Sequence, residues 1–382
     1  RRLTASLAPN QTLPLGTVGL SWGGLQDSAG NAVAGTQAAT WNVARTTNLG
    51  ALGLFSNSRL AIATNSAGTL FTLHRRASDG NVEASRFDGA ALVPIGPAIN
   101  DRTPIGDAFG SIAADANGQM FVALAQANIA GTASEVVVKR FDANANAWVT
   151  LVAPFAVPVF NGNIGPKLAL NAAGQPVVVF VSVANAALVL RGFRFDGTAW
   201  VDLGSLSAQF FSGPQAMALD ANGNPIVAAL DNGVLRVVRN TGIAWVAMGA
   251  ALDSVPNGTQ NIGEPSLAID GAGQPWVAWS HFPSPPVNLV RFDGTAFVPV
   301  AVVPTPTTGH PVLTFVNGDP VLAIGNDSSE VRRLRNGAWE PPLPVAVDGR
   351  GPIALAPSNG ALILGVTGNG NGVGTLLKVA FP

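Results

Sequence analysis

Leu219-Asp220-Ala221-Asn222-Gly223-Asn224-Pro225-Ile226-Val227 sets an apolar segment, a polar turn and a second apolar segment side by side. The phrase returns as Ile269-Asp270-Gly271-Ala272-Gly273-Gln274-Pro275-Trp276-Val277. It alternates with a second phrase, Arg194-Phe195-Asp196-Gly197-Thr198-Ala199-Trp200 or Arg291-Phe292-Asp293-Gly294-Thr295-Ala296-Phe297. The turn glycine of the first phrase falls at Gly68, Gly118, Gly174, Gly223, Gly273, Gly318 and Gly360. The arginine of the second falls at Arg86, Arg140, Arg194, Arg239, Arg291 and Arg335, with Lys378 in the seventh place. The aromatic that follows is Trp148, Trp200, Trp245, Phe297 or Trp339, and Leu92 stands there in the first repeat.

A repeat of roughly 40–55 residues holding four short strands is the signature of a β-propeller blade. In each repeat, strand a is the Leu168-Ala169-Leu170 type of segment, and Asp or Asn opens a turn closed by Gly. Pro leads into strand b, strand c ends at Arg-Phe-Asp, and an Asp-Gly turn returns the chain as strand d around the Trp. An isolated meander cannot cover both its faces, so blades stack around a ring. The reading is an all-β, seven-bladed propeller over residues 46–382, with a partial Ig-like β-sandwich segment over 1–45. The seventh repeat, Pro352 to Pro382, holds only strands a, b and c. Thr46-Thr47-Asn48-Leu49-Gly50 ends in the same Leu-Gly as Leu203-Gly204, and residues from about Trp41 to Gly50 are expected to supply the missing outer strand, the alternative being a strand lost at a truncated C-terminus.

Residues 1–45 stand outside the repeat. They carry Leu25-Gln26-Asp27-Ser28-Ala29-Gly30-Asn31 and the alternating Ala39-Thr40-Trp41-Asn42-Val43. This resembles the C-terminal part of bacterial Ig-like domains of surface-layer and adhesin-like proteins, about half of a whole sandwich. The propeller phrases are similar to repeats of large secreted bacterial proteins of unassigned function. These resemblances imply export and carry no chemistry with them. Arg1-Arg2-Leu3-Thr4 opens without an initiator Met, so sequence upstream is expected.

Composition narrows the partners. Charged residues make up 11% of the chain and the net charge is -1, which gives no basic field for nucleic acid. Apolar runs such as Val177-Val178-Val179-Phe180-Val181 are short and broken by Gly, Pro, Asn and Asp. They read as buried strands, and none reaches the ~18 residues of a membrane-spanning helix. The chain has no cysteine, which leans toward an extracellular or cell-surface setting.

The chemistry-bearing motifs are sparse. His74, His281 and His310 are the only histidines, and no metal-ligand spacing joins them. Asp142-Ala143-Asn144-Ala145-Asn146 imitates the start of a calcium loop but lacks its Gly and distal Glu, so a lengthened hairpin is the better reading. There is no Gly-x-Ser-x-Gly elbow, no Cys and no Tyr, so neither a thiol nor a phenolic nucleophile exists. No catalytic residue, metal or cofactor is assigned. The repeated Arg, Phe, Asp and Trp read as packing and turn devices.

Any ligand site belongs at the propeller face where the d–a and b–c connections vary. The candidates there are His74, Arg76, Asp101, Asp107, Glu264, His281, His310, Asp327 and Arg350. The expected function is that of an exported, non-enzymatic surface protein acting in adhesion or in an extracellular, fibre-like assembly. Its partners would be other surface proteins, copies of itself or extracellular glycans, with no nucleic acid and no membrane insertion. The alternative is a lectin-like propeller, and behind it a polysaccharide hydrolase or lyase.

Overall fold

The computed structural model describes residues 16–22, 37–43, 45–54, 60–104, 110–157, 165–184, 187–207, 216–231, 233–254, 261–282, 287–300, 303, 310–325, 329–345, 352–367 and 373–381. Within these residues the strands form seven antiparallel sheets and one separate pair, Gly16–Trp22 with Gln37–Val43. Each of the seven sheets is a blade, and in six of them the strands follow one another in chain order, a to d. The innermost strands are Ala61–Thr64, Gly110–Ala114, Lys167–Leu170, Ala216–Leu219, Ser266–Ile269, Val312–Val316 and Pro352–Ser358. Each touches the next, and the last touches the first, so the ring is closed. The loop motif at Leu25–Asn31 lies outside the described residues.

The core is divided among the gaps between blades. Strand b alternates its side chains between two neighbours, as a pleated strand must. In blade 1, Phe71 and Leu73 join Ile112, Val122 and Leu124 of blade 2, while Leu70 joins Ile363 and Leu376 of blade 7. A comparable apolar cluster fills each of the other gaps. Continuous apolar runs such as Val177–Val181 follow from this, because both faces of strand b are covered.

The last blade is completed from the other end of the chain, as expected, but from Arg45 onward, since Trp41 belongs to the separate strand pair. Arg45–Gly53 pairs antiparallel with Val373–Ala380, from Arg45 opposite Ala380 to Gly53 opposite Val373. Leu54 then bridges to Arg76 of blade 1, and Ala77 donates its N–H to Gly53 O at 3.2 Å. At the opposite end, Ser358 Oγ donates to Gly68 O at 3.0 Å and Asn359 Nδ2 to Ala67 O at 3.1 Å. The seam between blades 7 and 1 is therefore pinned at both ends.

Strand d differs from the expectation of one outer strand per blade. In blade 2 it is Ala147–Thr150 followed by Phe155–Val157, both paired with strand c, Ser134–Asp142. Blades 4 and 6 repeat this division, and blades 3 and 7 show a register shift at the same place. In blades 3 and 7 the break comes at a Leu-Gly pair, Leu203-Gly204 and Leu49-Gly50, and in blade 4 at Met248-Gly249. Gly50, Gly96, Gly204 and Gly249 have φ of 129°, 67°, 82° and 72°, a conformation open to glycine at little cost.

This break explains the spacing of Trp from Leu-Gly in the repeat. The twist of the chain turns carbonyls outward, and the tryptophan of the following blade takes one up. Trp148 Nε1 donates to Ile95 O at 3.3 Å, Trp200 Nε1 to Leu151 O at 3.1 Å and Trp245 Nε1 to Gly204 O at 3.1 Å. Leu92 holds the same place in blade 1, where a Cβ on Gly50 would lie 3.5 Å from its Cδ1. The blade aromatics were expected to be buried. Trp148 is, whereas Trp200, Trp245 and Trp339 are half-buried because they sit on outer strands, with their rings against neighbouring blades.

The repeated arginines were expected to stack on or pair with neighbours. Arg291 lies 5.9 Å from the Trp276 ring and Arg335 3.9 Å from Asp319, but Arg86, Arg140 and Arg239 are exposed on the rim. Strand alternation turns each of them away from the residue that follows it, Phe87, Phe141 or Asn240.

In blade 2 the glycine of the break is replaced by Val152, whose φ is +61° and whose side chain is 53% exposed. A β-branched residue held there costs about 1–3 kcal/mol. Val152→Gly gives back about 0.5–1 kcal/mol in chain entropy and loses no packing. The variant should gain about 1 kcal/mol, read as a higher denaturant midpoint at unchanged slope.

Candidate functional site

The a–b and c–d turns share one end of the ring. Gln119 Nε2 of an a–b turn donates to Phe141 O of the neighbouring c–d turn at 2.7 Å, and Gln175 Nε2 to Asp196 O at 3.1 Å. At this end the carboxylates are engaged in turn geometry. Asp293 Oδ1 accepts the N–H groups of Thr295 and Ala296 at 2.9 Å each. Those amides hold its pKa down at about 2, and the same backbone bonds lower Asp88 and Asp196. The recurrent Asp is thus a turn former.

The variable connections meet at the other end, and the candidate residues fall there into three places. Asp107, Asp327 and Arg350 lie outside the described residues. Asp101 belongs to the link between blades 1 and 2. Its Oδ1 accepts from Lys139 Nζ at 2.7 Å, and its N–H donates to Gln126 Oε1 at 3.1 Å. Gln126 and Arg102 both donate to Glu135 Oε1, at 2.8 and 2.6 Å. This network ties the d–a link to strands b and c of blade 2.

His74 and Arg76 stand at the end of strand b in blade 1. Arg76 holds Asp79 at 2.6 Å and Glu83 at 3.3 Å. His74 is buried, with Nε2 3.8 Å from Glu83 Oε1. That carboxylate favours an imidazolium, yet burial first and the Arg76 charge second prevail, and the pKa falls to about 4. The facing strands of blade 7, Ala361–Thr367 and Val373–Ala380, add one charged residue, Lys378.

Because the folded pKa lies below the unfolded value of 6.5, the unfolded chain takes up this proton first as pH falls. Full stability is present above pH 6.5 and is lost progressively toward pH 4, by about 3 kcal/mol. Urea unfolding at pH 7.5 and 4 should show this loss in the native chain, and a smaller one in His74→Gln. Equal losses in the two chains would refute the assignment.

The third place, spanning blades 4 to 6, brings several candidates together. His281 Nε2 lies 2.7 Å from Asp253 Oδ2, the same oxygen that accepts the Trp279 indole N–H at 2.6 Å. In the next gap, His310 Nδ1 accepts the backbone N–H of Glu264 at 3.0 Å. That ring nitrogen is therefore committed as an acceptor. Beside this group a cavity of about 400 Å³ opens between blades 4 and 5, walled by Leu252, Trp279, Asn288, Val290, Phe297 and Val300. Asp253 and Trp279 were not among the residues singled out from sequence. The available signal was the period of two, which puts Trp279 on the same face of strand b as His281.

Among the described residues no group of three His, Cys, Asp or Glu could hold a metal ion. What the arrangement can do is bind: an oriented imidazole, a half-buried carboxylate and an apolar hollow lie side by side.

No family model matches the chain, and no curated protein matches it. Solved structures do. A protein from Lactobacillus plantarum is 12% identical, with a TM-score of 0.55 over 77% of this chain and 86% of that one. A protein of unknown function from Dyadobacter fermentans is also 12% identical, with a TM-score of 0.47 over 87% of this chain and 99% of that one. At such identity the first likeness concerns the fold alone, and it agrees with the seven-bladed propeller.

Proposed function

We propose that the chain is an exported, non-enzymatic binding propeller, acting at or outside the cell surface in attachment or in an extracellular assembly. One observation carries the binding reading: Asp253, Trp279 and His281 converge beside the cavity between blades 4 and 5. The repeated carboxylates and tryptophans are meanwhile occupied in turns and inter-blade joints. The surface setting is supported by the absence of cysteine and by the resemblance of residues 1–45 to Ig-like modules of surface proteins. Attachment to surface glycans or proteins suits this setting. The lectin reading is weaker, because Trp279 is only 4% exposed and presents no open ring for a sugar.

The test is binding of the chain to bacterial cells and to purified surface polysaccharide, beside Asp253→Ala and His281→Ala. Both variants should stay folded, Asp253→Ala melting lower because it strands the buried Trp279 N–H, and both should bind at least about tenfold more weakly, a loss of about 1.4 kcal/mol. Unchanged binding by the variants removes this site from the proposal, and release of shorter sugars from the polysaccharide overturns the non-enzymatic reading.

A further inference from the structure

Among the described residues, four buried side-chain atoms find no hydrogen-bond partner: Thr72 Oγ1, His74 Nδ1, Ser85 Oγ and Trp339 Nε1. Three of the four stand on one small patch of blade 1. Thr72 and Ser85 are directly opposite each other across strands b and c, and His74 opposite Glu83 is the next pair on the same face. Cβ atoms of opposed residues are about 5 Å apart, and successive residues on one face about 7 Å. The patch faces the seam with blade 7, because Ile62, paired with Thr72, packs in the cluster of Leu49, Leu60, Leu70, Ile363 and Leu376. Leu54 of the closing segment lies at the same end of the seam and is 2% exposed.

A buried polar group without a partner costs roughly 1–3 kcal/mol, and native folds rarely tolerate three together. The three atoms make a neutral set. Two hydroxyls can donate or accept, and one imidazole nitrogen accepts when Nε2–H points at Glu83. Neutral donors and acceptors of this kind suit a water molecule, which typically makes about three hydrogen bonds in protein interiors. A metal ion would require carboxylate or further imidazole ligands.

We propose that Thr72, His74 and Ser85 form an internal water site within the first blade, at its seam with the last. The water donates to His74 Nδ1 and exchanges hydrogen bonds with the two hydroxyls, so the polar end of strand b can lie against an apolar neighbour. The sign of a stability change tests this. If water bridges the three groups, Thr72→Val and Ser85→Ala each strip it of a partner and lower the melting temperature by about 2 °C or more. Thr72→Ser, which keeps a hydroxyl, shows the smaller loss. If the hydroxyls are simply orphaned, removing them leaves the melting temperature unchanged or raises it, and the proposal fails. A crystal structure of the full chain at high resolution supplies the second measurement. Density within 3.2 Å of all three atoms is expected there, and an empty site overturns the proposal even if both variants are destabilised.

Discussion

Removal of residues 1–53 is expected to cost the ring about 5–10 kcal/mol, most of the stability available to a typical domain. The deletion takes away the outer strand of blade 7 and with it Leu49, 8% exposed, and leaves the backbone edge of Val373–Ala380 unpaired. It also strips cover from Leu376, which is fully buried. Emptying a buried leucine site costs about 2–5 kcal/mol, and an uncovered edge invites association with other chains. The deleted chain should melt far lower, or aggregate, by circular dichroism and light scattering. Removal of residues 1–44 alone should leave the ring's melting temperature within about 2 °C, since Arg45–Gly53 remains. It should also abolish any self-association that depends on the Gly16–Trp22 and Gln37–Val43 pair. Equal stability of the two deletions would refute the role given to the closing strand.

Trp200→Ala is the second large effect, at about 4 kcal/mol. The ring stands edge-on to Phe155 of blade 2 at 5.3 Å and tilted against Phe195 of its own blade at 5.2 Å. Its N–H satisfies Leu151 O of blade 2. The substitution therefore opens a hollow in one inter-blade gap and leaves a carbonyl unpaired. Trp200→Phe should recover most of the packing and lose only the hydrogen bond. Unfolding in denaturant will rank the three chains, and an alanine variant as stable as the native chain would show that the ring is peripheral.

The architecture was legible because its cause is local and repeated. Asp220 to Gly223 builds the same turn wherever it occurs, and the apolar alternation on both sides marks a strand covered on two faces. The missing outer strand of the seventh repeat pointed to residues near Leu49, since the Leu-Gly break is itself part of the repeat. The break's effect on strand d could not be read, because its register is set by the positive-φ residue and by contacts with the neighbouring blade. The candidate site was legible only in part. His281 stood out by rarity, but Asp253 comes from the blade before it, and only folding sets the two 2.7 Å apart. Asp101 and Arg76 looked like ligand-facing charges and are held in ion pairs with Lys139, Asp79 and Glu83.

The two halves of the Trp–carbonyl joint have a consequence for how such a chain can be rearranged. One repeat contributes its Trp to the blade before it and its Leu-Gly carbonyl to the blade after it. Blades 2, 3 and 4 are thus linked head to tail by one repeated contact, the relation that generates closed rings from separate subunits. A gene segment encoding blade 3 can be duplicated or excised without leaving a donor or an acceptor of the joint unmatched. The joint sets no number of units. That number is decided where the chain meets its own beginning, so circular permutation at any blade boundary should give a foldable ring once residues 45–53 are joined directly behind Val373–Ala380.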